Sequence, residues 1–189
     1  MNIDPKRTAL LVMDLHADVI AMLGAEGAAF AERTATLLQA ARKGGVAVIY
    51  IVVGFRPGYP EVSPKNAIFS AISGSGRFQG PPGADIPRSL APRDGDTVVV
   101  KHRVSAFHGT DLDMILRAKD IETLLLAGIA TSGVVLSTVC HAADADYRCA
   151  IVRDCCADRD EEVHRVLLDK ALVRRATVVT AAEALAALS

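Results

Sequence analysis

The sequence predicts an α/β protein, a three-layer α/β/α sandwich around a six-stranded parallel sheet. Continuous apolar runs alternate with segments of helical spacing along the chain, and several runs end at a charged or small residue. Apolar residues make up 51% of the chain and aromatic residues only 4%, which favours a core of Val, Leu, Ile and Ala. Strands that alternate with helices form parallel sheets with right-handed crossovers, and residues 1–189 suit one domain.

Each predicted strand is an apolar run typical of a strand that is buried on both faces of a sheet. The six runs are Thr8–Asp14, Val46–Val53, Asp96–Lys101, Glu122–Gly128, Tyr147–Arg153 and Ala176–Thr180. Helices are predicted over residues 26–43, 112–119, 132–146, 160–172 and 181–188. Residues 54–93 are rich in Pro and Gly, and we expect a long loop there that closes over a site or packs on a partner subunit.

The stretch 124–138 predicts where the site lies. Its apolar run breaks at small residues around Gly128 and restarts with helical spacing, which indicates a strand, a tight turn and a helix. In open α/β sheets the carboxyl end of a strand and the amino end of the next helix form a wall of the ligand crevice. We therefore expect reactive groups near residues 129–134, with Thr131 and Gly133 in the substrate pocket.

Two charged residues that end buried strands are the candidate catalytic pair. Asp14 closes the first predicted strand, and Lys101 closes the third. Because the carboxyl ends of parallel strands lie at one edge of a sheet, we expect the two opposite charges to meet in the crevice. A helix cap or loop carboxylate is the alternative for Asp14, and a solvated boundary residue is the alternative for Lys101.

Further candidates follow the ends of other strands. His16 comes just after the first strand and points into the crevice in this interpretation, with packing or a loop contact as its alternative. Phe55, Arg56 and Tyr59 follow the second strand and line the crevice, with solvated loop positions as their alternative. Asp154, after the fifth strand, orders the edge of the crevice or serves as a cap.

Charge and composition argue against several classes of partner. The chain has 21 basic and 22 acidic residues, so it lacks the basic surplus of proteins that bind nucleic acid or anionic membranes. Residues 1–7 lack the layout of a signal peptide and no apolar run approaches the ~18 residues of a membrane span, so we expect a cytoplasmic protein. The four cysteines have no Cys-x-x-Cys spacing, which indicates reduced thiols and neither a disulfide framework nor a zinc site.

A set of motifs occurs along the chain in a specific order. It consists of Asp14, Lys101 before Ser105-Ala106-Phe107 and Gly109-Thr110-Asp111-Leu112, and the turn Gly128-Ile129-Ala130-Thr131 before Thr138. In order and spacing these motifs resemble the isochorismatase-like, or cysteine hydrolase, superfamily over about residues 6–185. The resemblance implies a Rossmann-like fold, a small-molecule substrate, a homodimer or homotetramer with sites near subunit contacts, and a catalytic Asp-Lys-Cys set. Asp14 and Lys101 match the first two members of that set, and we place Phe107 in the substrate pocket.

Val134 departs from the pattern of this superfamily. The nucleophilic cysteine lies six residues after the glycine of the turn, and Val134 holds that position here. A valine cannot attack a substrate, so the covalent thiol route is closed. Cys140 is a poor substitute, because six residues along a helix turn through roughly 600° and advance about 9 Å along the axis.

The same superfamily includes isochorismatases, which carry a small residue at this position and hydrolyse a vinyl ether without an enzyme thiol. By that likeness Asp14 is a general acid, Lys101 orients the substrate or stabilises charge, and water attacks the resulting cation. The resemblance also implies a cis peptide bond between Ile129 and Ala130. No metal is expected, because the segment 54–58 lacks the aspartate and histidines of the metal-binding members. No cofactor is expected either, because no predicted strand leads into Gly74-Ser75-Gly76 and no helix clearly leaves it, so this segment is not a nucleotide-binding motif.

Two other interpretations stay open from the sequence. One is a catalytically inactive member of the superfamily that binds a ligand or a partner. The other is an amidase that uses a different cysteine as its nucleophile.

Overall fold

A six-stranded parallel sheet forms the centre of the protein, in a computed structural model that describes residues 3–188. The strands are β1 (Thr8–Met13), β2 (Ala47–Val53), β3 (Thr97–Lys101), β4 (Thr123–Ile129), β5 (Arg148–Ala157) and β6 (Thr177–Val179). Their order in space is β3-β2-β1-β4-β5-β6, and each neighbouring pair is parallel. The strand order therefore reverses between β1 and β4, and ligand crevices of open α/β sheets form at such a reversal.

Seven α-helices lie among the described residues. They are α1 (Ala17–Ala21), α2 (Gly27–Lys43), α3 (Ala67–Ser73), α4 (Leu112–Ala118), α5 (Leu136–Asp144), α6 (Glu161–Val166) and α7 (Ala181–Ala187). A turn of π-helix over Thr131–Val135 leads from β4 into α5, and a second one over Leu167–Ala171 extends α6. Five of them, α2 and α4 to α7, match the five predicted helices in place, with ends that differ by a few residues.

The two faces of the sheet each bury an apolar layer, which confirms the predicted three-layer architecture. On one face Leu10 and Val12 of β1 pack with buried residues of α2 and α7. On the other face Leu11 and Met13 pack with buried residues of α4 and α5. All six residues of β1 are buried, as expected for a strand covered on both sides.

The structure corrects three of the predicted elements. Residues 54–93 are not loop throughout, because α3 forms within them. The side chain of Asn66 caps α3 by accepting a hydrogen bond from the Phe69 N–H. The short helix α1 was not predicted. Strand β5 continues past Asp154, whose carboxylate accepts a hydrogen bond from the Ala181 N–H at the start of α7, the helix that Thr180 caps.

Three terminal residues, Met1, Asn2 and Ser189, lie outside the described part of the chain. The predictions for the amino-terminal segment 1–7 and for the full domain 1–189 therefore fall partly outside it. Within residues 3–188, no helix combines the length and the apolar character that crossing a bilayer requires.

Candidate active site

The carboxylate of Asp14 is tied across the end of β2. The residue follows β1 with a left-handed backbone (φ 55°), a conformation that aspartate accepts more readily than most residues. Its N–H donates to the carbonyl of Ile51 at 2.8 Å, and its Oδ1 accepts from the Val53 N–H at 3.1 Å. These two bonds direct the carboxylate over β2 toward the end of β3.

Lys101, the last residue of β3, meets this carboxylate. Its Nζ lies 2.8 Å from Asp14 Oδ2 and donates a second hydrogen bond to the Arg103 carbonyl at 3.2 Å. Lys101 is 3% exposed and Asp14 is 8% exposed. Buried charges are stable when they are paired and hydrogen-bonded, and both conditions hold here. The structure thus brings together the two residues that the sequence predicts as a pair.

A cavity of about 370 Å³ opens beside the ion pair, a size that suits a small molecule. Asp14 and Lys101 line its floor. The β4–α5 turn lies beside them and contributes Ile129, Ala130 and Val134. Its apolar wall consists of Val19, Val53, Ile68, Phe69, Ile72, Phe78 and Val104, and its remaining lining residues are Met22, Arg77, Ser132, Gly133, Asp158 and Arg159. The cavity therefore combines one charged pair with a wide apolar surface.

The β4–α5 turn has the backbone that brings Val134 to the cavity. The peptide bond between Ile129 and Ala130 is cis, and Gly128 has a φ of 152°. A Cβ at residue 128 would lie 2.4 Å from the Met13 carbonyl oxygen, so only glycine fits between β1 and β4 at this level. Val134 itself is 2% exposed and lines the cavity.

Three candidates from the loop after β2 do not line this cavity. Phe55 and Tyr59 pack with Phe69 in a separate apolar cluster, because the loop folds back on α3. Arg56 is exposed and pairs with Glu61 at 2.7 Å. The sequence placed these residues near the crevice but could not show which way the loop turns their side chains.

Two further candidates also face elsewhere. Phe107 stacks on His141 of α5 with ring centroids 4.5 Å apart, within the core layer beside α4 and α5. Thr131 is fully buried, and its Oγ1 lies 2.7 Å from Nδ1 of His164. Both side chains support the helices that flank the site and do not contact the cavity.

His16 lies behind Asp14, outside the cavity lining. Its Nε2 is 3.9 Å from Asp14 Oδ1, and its Nδ1 is 2.9 Å from each oxygen of Asp85. The ring also packs on Phe78, with centroids 4.9 Å apart. The structure therefore places His16 against the candidate catalytic carboxylate and away from the space for a substrate.

The apolar wall contributed by α3 was missed by the sequence reasoning. Ile68, Phe69 and Ile72 recur at helical spacing after Asn66, a residue type that often caps helices. This signal was present, but the surrounding Pro and Gly residues favoured a loop. Arg159 follows β5 by two residues and had no sequence signal that distinguished it from other surface arginines.

The four cysteines are free, and none of them lines the cavity formed by the described residues. Burial raises the pKa of Cys149 and of Cys155 to about 11. Burial also raises the pKa of the Cys156 thiol, which lies 3.6 Å from the Leu126 carbonyl. These three groups are therefore thiols at neutral pH and poor nucleophiles. Cys140 lies on α5, partly buried.

Between residues 3 and 188, no three His, Cys, Asp or Glu side chains come close enough together to hold a metal ion. The polar side chains that line the cavity are the Asp14–Lys101 pair, the arginines at residues 77 and 159, Ser132, and Asp158, which accepts a hydrogen bond from the Ser132 N–H.

Charged side chains from parallel strands that meet beside a cavity, at the carboxyl edge of the sheet, are typical of α/β enzymes that bind small molecules. Comparison with known proteins identifies the group within this class. Residues 8–183 match the isochorismatase domain family, and the chain belongs to that family.

Hydrolases are found among the relatives of this chain. Maleamate amidohydrolase of Pseudomonas putida is 30% identical over 185 residues, which cover 95% of this chain and 86% of that protein. The phenazine biosynthesis protein PhzD of Pseudomonas fluorescens is 32% identical over 184 residues, with 96% and 86% covered. The solved structure of a cysteine hydrolase from Pseudomonas syringae has a TM-score of 0.87 at 26% identity, and the match covers 100% of this chain and 95% of that one.

Proposed function

We propose that the protein is a hydrolase that acts on a small molecule with Asp14, Lys101 and water, without a covalent thiol intermediate. The observation that carries this proposal is the 2.8 Å ion pair between Asp14 and Lys101 in a cavity that Val134 also lines. In our proposal Val134 stands at the nucleophile position, so the site has the acid–base pair and no sulfur.

In the proposed reaction Asp14 is the general acid. Its proton passes to the carbon–carbon double bond of an enol ether, and the oxocarbenium ion that forms lies beside the Asp14 carboxylate. Water adds to the cationic carbon and gives its extra proton back to Asp14. The hemiketal that results then breaks its other C–O bond, its hydroxyl proton passes to the leaving oxygen, and a carbonyl compound and an alcohol are released. Lys101 orients the substrate and holds the carboxylate in position through its own hydrogen bond to the Arg103 carbonyl.

The apolar wall and the arginines favour a particular kind of substrate. Ile68, Phe69 and Ile72 suit an apolar or ring-shaped body, whereas Arg77 and Arg159 provide positive charge for an anionic group. Arg77 already pairs with Asp18, so Arg159 is the stronger candidate for binding that group. The cavity of about 370 Å³ limits the substrate to a small metabolite.

The relatives support hydrolysis but do not indicate which type of bond is hydrolysed. The name of one relative describes an amidohydrolase and that of another an isochorismatase, from Bacillus subtilis. Amide hydrolysis by a cysteine would require a thiolate near Lys101, and the buried thiols of Cys149, Cys155 and Cys156 have raised pKa values. We therefore favour attack on the substrate by water over attack by a cysteine thiolate.

Turnover of a panel of small enol ethers, amides and esters tests the proposal. Asp14→Asn should lower kcat by roughly 10²–10⁴-fold, because it removes the transferable proton. Asp113→Asn is the matched control, since Asp113 forms an exposed pair with Arg117 and should leave kcat unchanged. Iodoacetamide should not inhibit the enzyme.

Two outcomes would contradict this function. Inactivation by iodoacetamide, relieved by replacing one cysteine, would assign the reaction to a thiol. Binding of a metabolite without turnover of any member of the panel would assign the protein a binding role. We also keep a homodimer or homotetramer as a prediction, which light scattering after size-exclusion chromatography measures.

A further inference from the structure

His16 is a buried residue with one ring nitrogen that lacks a hydrogen-bond partner. The residue is 2% exposed, and in the described part of the chain only its Nε2 and the Oε2 of Glu61 are buried side-chain polar atoms without a partner. Buried polar atoms are nearly always hydrogen-bonded, so an unpaired one at the edge of a candidate site requires an explanation.

Asp85 determines which nitrogen of His16 carries the hydrogen. Both oxygens of Asp85 lie 2.9 Å from Nδ1, and an ionised carboxylate can only accept hydrogen bonds. Nδ1 therefore donates to Asp85, and in the neutral ring Nε2 carries a lone pair. This Nε2 lies 3.9 Å from Asp14 Oδ1.

A lone pair that faces a carboxylate oxygen is unfavourable unless a proton lies between the two atoms. That proton can reside on Nε2, as an imidazolium beside a carboxylate, or on Oδ1, as a carboxylic acid beside a neutral ring. Lys101 at 2.8 Å from Oδ2 favours the first arrangement, because its charge stabilises the carboxylate. Asp85 favours it as well, since its carboxylate stabilises the imidazolium.

We propose that His16 is a positioning residue that stores the proton used by Asp14, and that Asp85 holds the ring in the orientation for this transfer. The proposal rests on the proposed role of Asp14 as a general acid. In the transfer Nε2 closes from 3.9 Å to hydrogen-bond distance of Asp14 Oδ1, the Nε2–H bond breaks and an O–H bond forms at Oδ1. Imidazolium and carboxylate become neutral imidazole and carboxylic acid, while Nδ1 keeps its hydrogen and its bond to Asp85.

A second cavity borders the His16 ring on the side of Asp85. The cavity, of about 130 Å³, is lined by His16, Asp85 and the segment 80–84, and it shares Val53 and Phe78 with the substrate cavity. Asp85 has a half-exposed side chain. The ring thus has one nitrogen next to Asp14 and the other on the side of this second cavity.

The other charged groups near the ring are few. Lys101 acts on His16 through Asp14. Arg77 lies over the ring of Phe78, which packs on His16, and is paired with Asp18. Asp14 and Asp85 are therefore the charged groups nearest the His16 ring.

Nitrogen NMR of protein labelled with ¹⁵N-histidine tests the proposal without any substrate. His16→Gln identifies the His16 signals, and spectra are recorded through the pH at which imidazoles titrate, about 6.5. The wild type should show Nδ1–H as the neutral tautomer. The doubly protonated fraction of His16 should fall in Asp14→Asn and also in Asp85→Asn. His108→Gln, at an exposed histidine, should leave the His16 signals unchanged.

A neutral Nε2–H tautomer in the wild type, or the same His16 signals in Asp14→Asn as in the wild type, would overturn the proposal. Kinetics provide a second readout. Asp85→Asn should lower kcat roughly ten- to a hundredfold, change the shape of its pH profile and leave KM unchanged. An unchanged kcat in Asp85→Asn would refute the proton store and leave the proposed function intact. A wild type that hydrolyses nothing would refute the proposed function. The NMR spectra would still show whether the His16 signals depend on the Asp14 carboxylate.

Discussion

Replacing Lys101 by methionine should destabilise the protein strongly, and a second replacement at Asp14 should restore much of that loss. Methionine keeps most of the length of the lysine side chain, so Lys101→Met removes the charge with little change in packing. The Asp14 carboxylate would keep its bond from the Val53 N–H and lose its ammonium partner.

The magnitude follows from the distance and from burial. At 2.8 Å the attraction between the two charges is about 6 kcal/mol for an effective dielectric constant of about 20. Desolvation of both ions offsets part of this attraction. Removing one member of a buried pair costs about 3–5 kcal/mol in measured cases, and we expect about 4 kcal/mol for Lys101→Met.

The double variant Asp14→Asn with Lys101→Met should cost much less than the sum of the single variants. Neither side chain then carries a buried charge, and Asn can still accept a hydrogen bond from the Val53 N–H. We expect a coupling free energy of about 2–3 kcal/mol between the two sites.

Urea unfolding followed by circular dichroism measures all four proteins of this cycle. With a slope of about 2–3 kcal/mol per M, a loss of about 4 kcal/mol moves the midpoint by roughly 1–2 M. Additive costs, with a coupling below about 0.5 kcal/mol, would refute the reasoning, because they would mean that the two charges do not stabilise each other in the folded protein.

Three further predictions concern the β4–α5 turn and its support. Val134→Cys should create a thiol that iodoacetamide modifies faster than the native cysteines, as mass spectrometry of the labelled peptides will show; equal rates would contradict a position facing the cavity. Gly128→Ala should destabilise the protein by about 2–4 kcal/mol in urea, because its Cβ would lie 2.4 Å from the Met13 carbonyl oxygen. Burial lowers the pKa of His164, so the unfolded chain binds this proton more readily and the free energy of unfolding should fall as pH drops below about 6.5; His164→Gln should remove that dependence.

The charged pair was predictable from the sequence because two general features of parallel sheets determine it. Asp14 and Lys101 each follow an apolar run, and parallel strands end at a common edge. The sequence could not show that β2 lies between the two strands, or that a left-handed turn at Asp14 carries the carboxylate over the end of β2. Those features depend on strand order and on hydrogen bonds that form only in the folded chain.

The lining of the cavity was harder to predict because it depends on the direction of side chains in a long connection. Position after a strand does not determine orientation, so Phe55 and Tyr59 were assigned to the crevice although they pack with Phe69. Helix α3 has its cap and its apolar spacing in the sequence, but both are local signals within a segment rich in Pro and Gly. His16 was predicted to point into the crevice but lies behind Asp14, and the partner that holds it there, Asp85, is 69 residues away in sequence.

Asp14 has a structural role in addition to its proposed catalytic role. Its Oδ1 satisfies the Val53 N–H, a buried backbone donor beside the end of β2, whereas its Oδ2 holds Lys101. Removing the whole carboxyl group would therefore leave the Val53 N–H and the Lys101 ammonium without this partner. A loss of activity in such a variant could then result from a disturbed structure. Asn keeps an oxygen for the N–H and removes only the charge and the transferable proton. A loss of activity in Asp14→Asn, in a protein that still unfolds cooperatively, would therefore measure the chemistry of the carboxyl group.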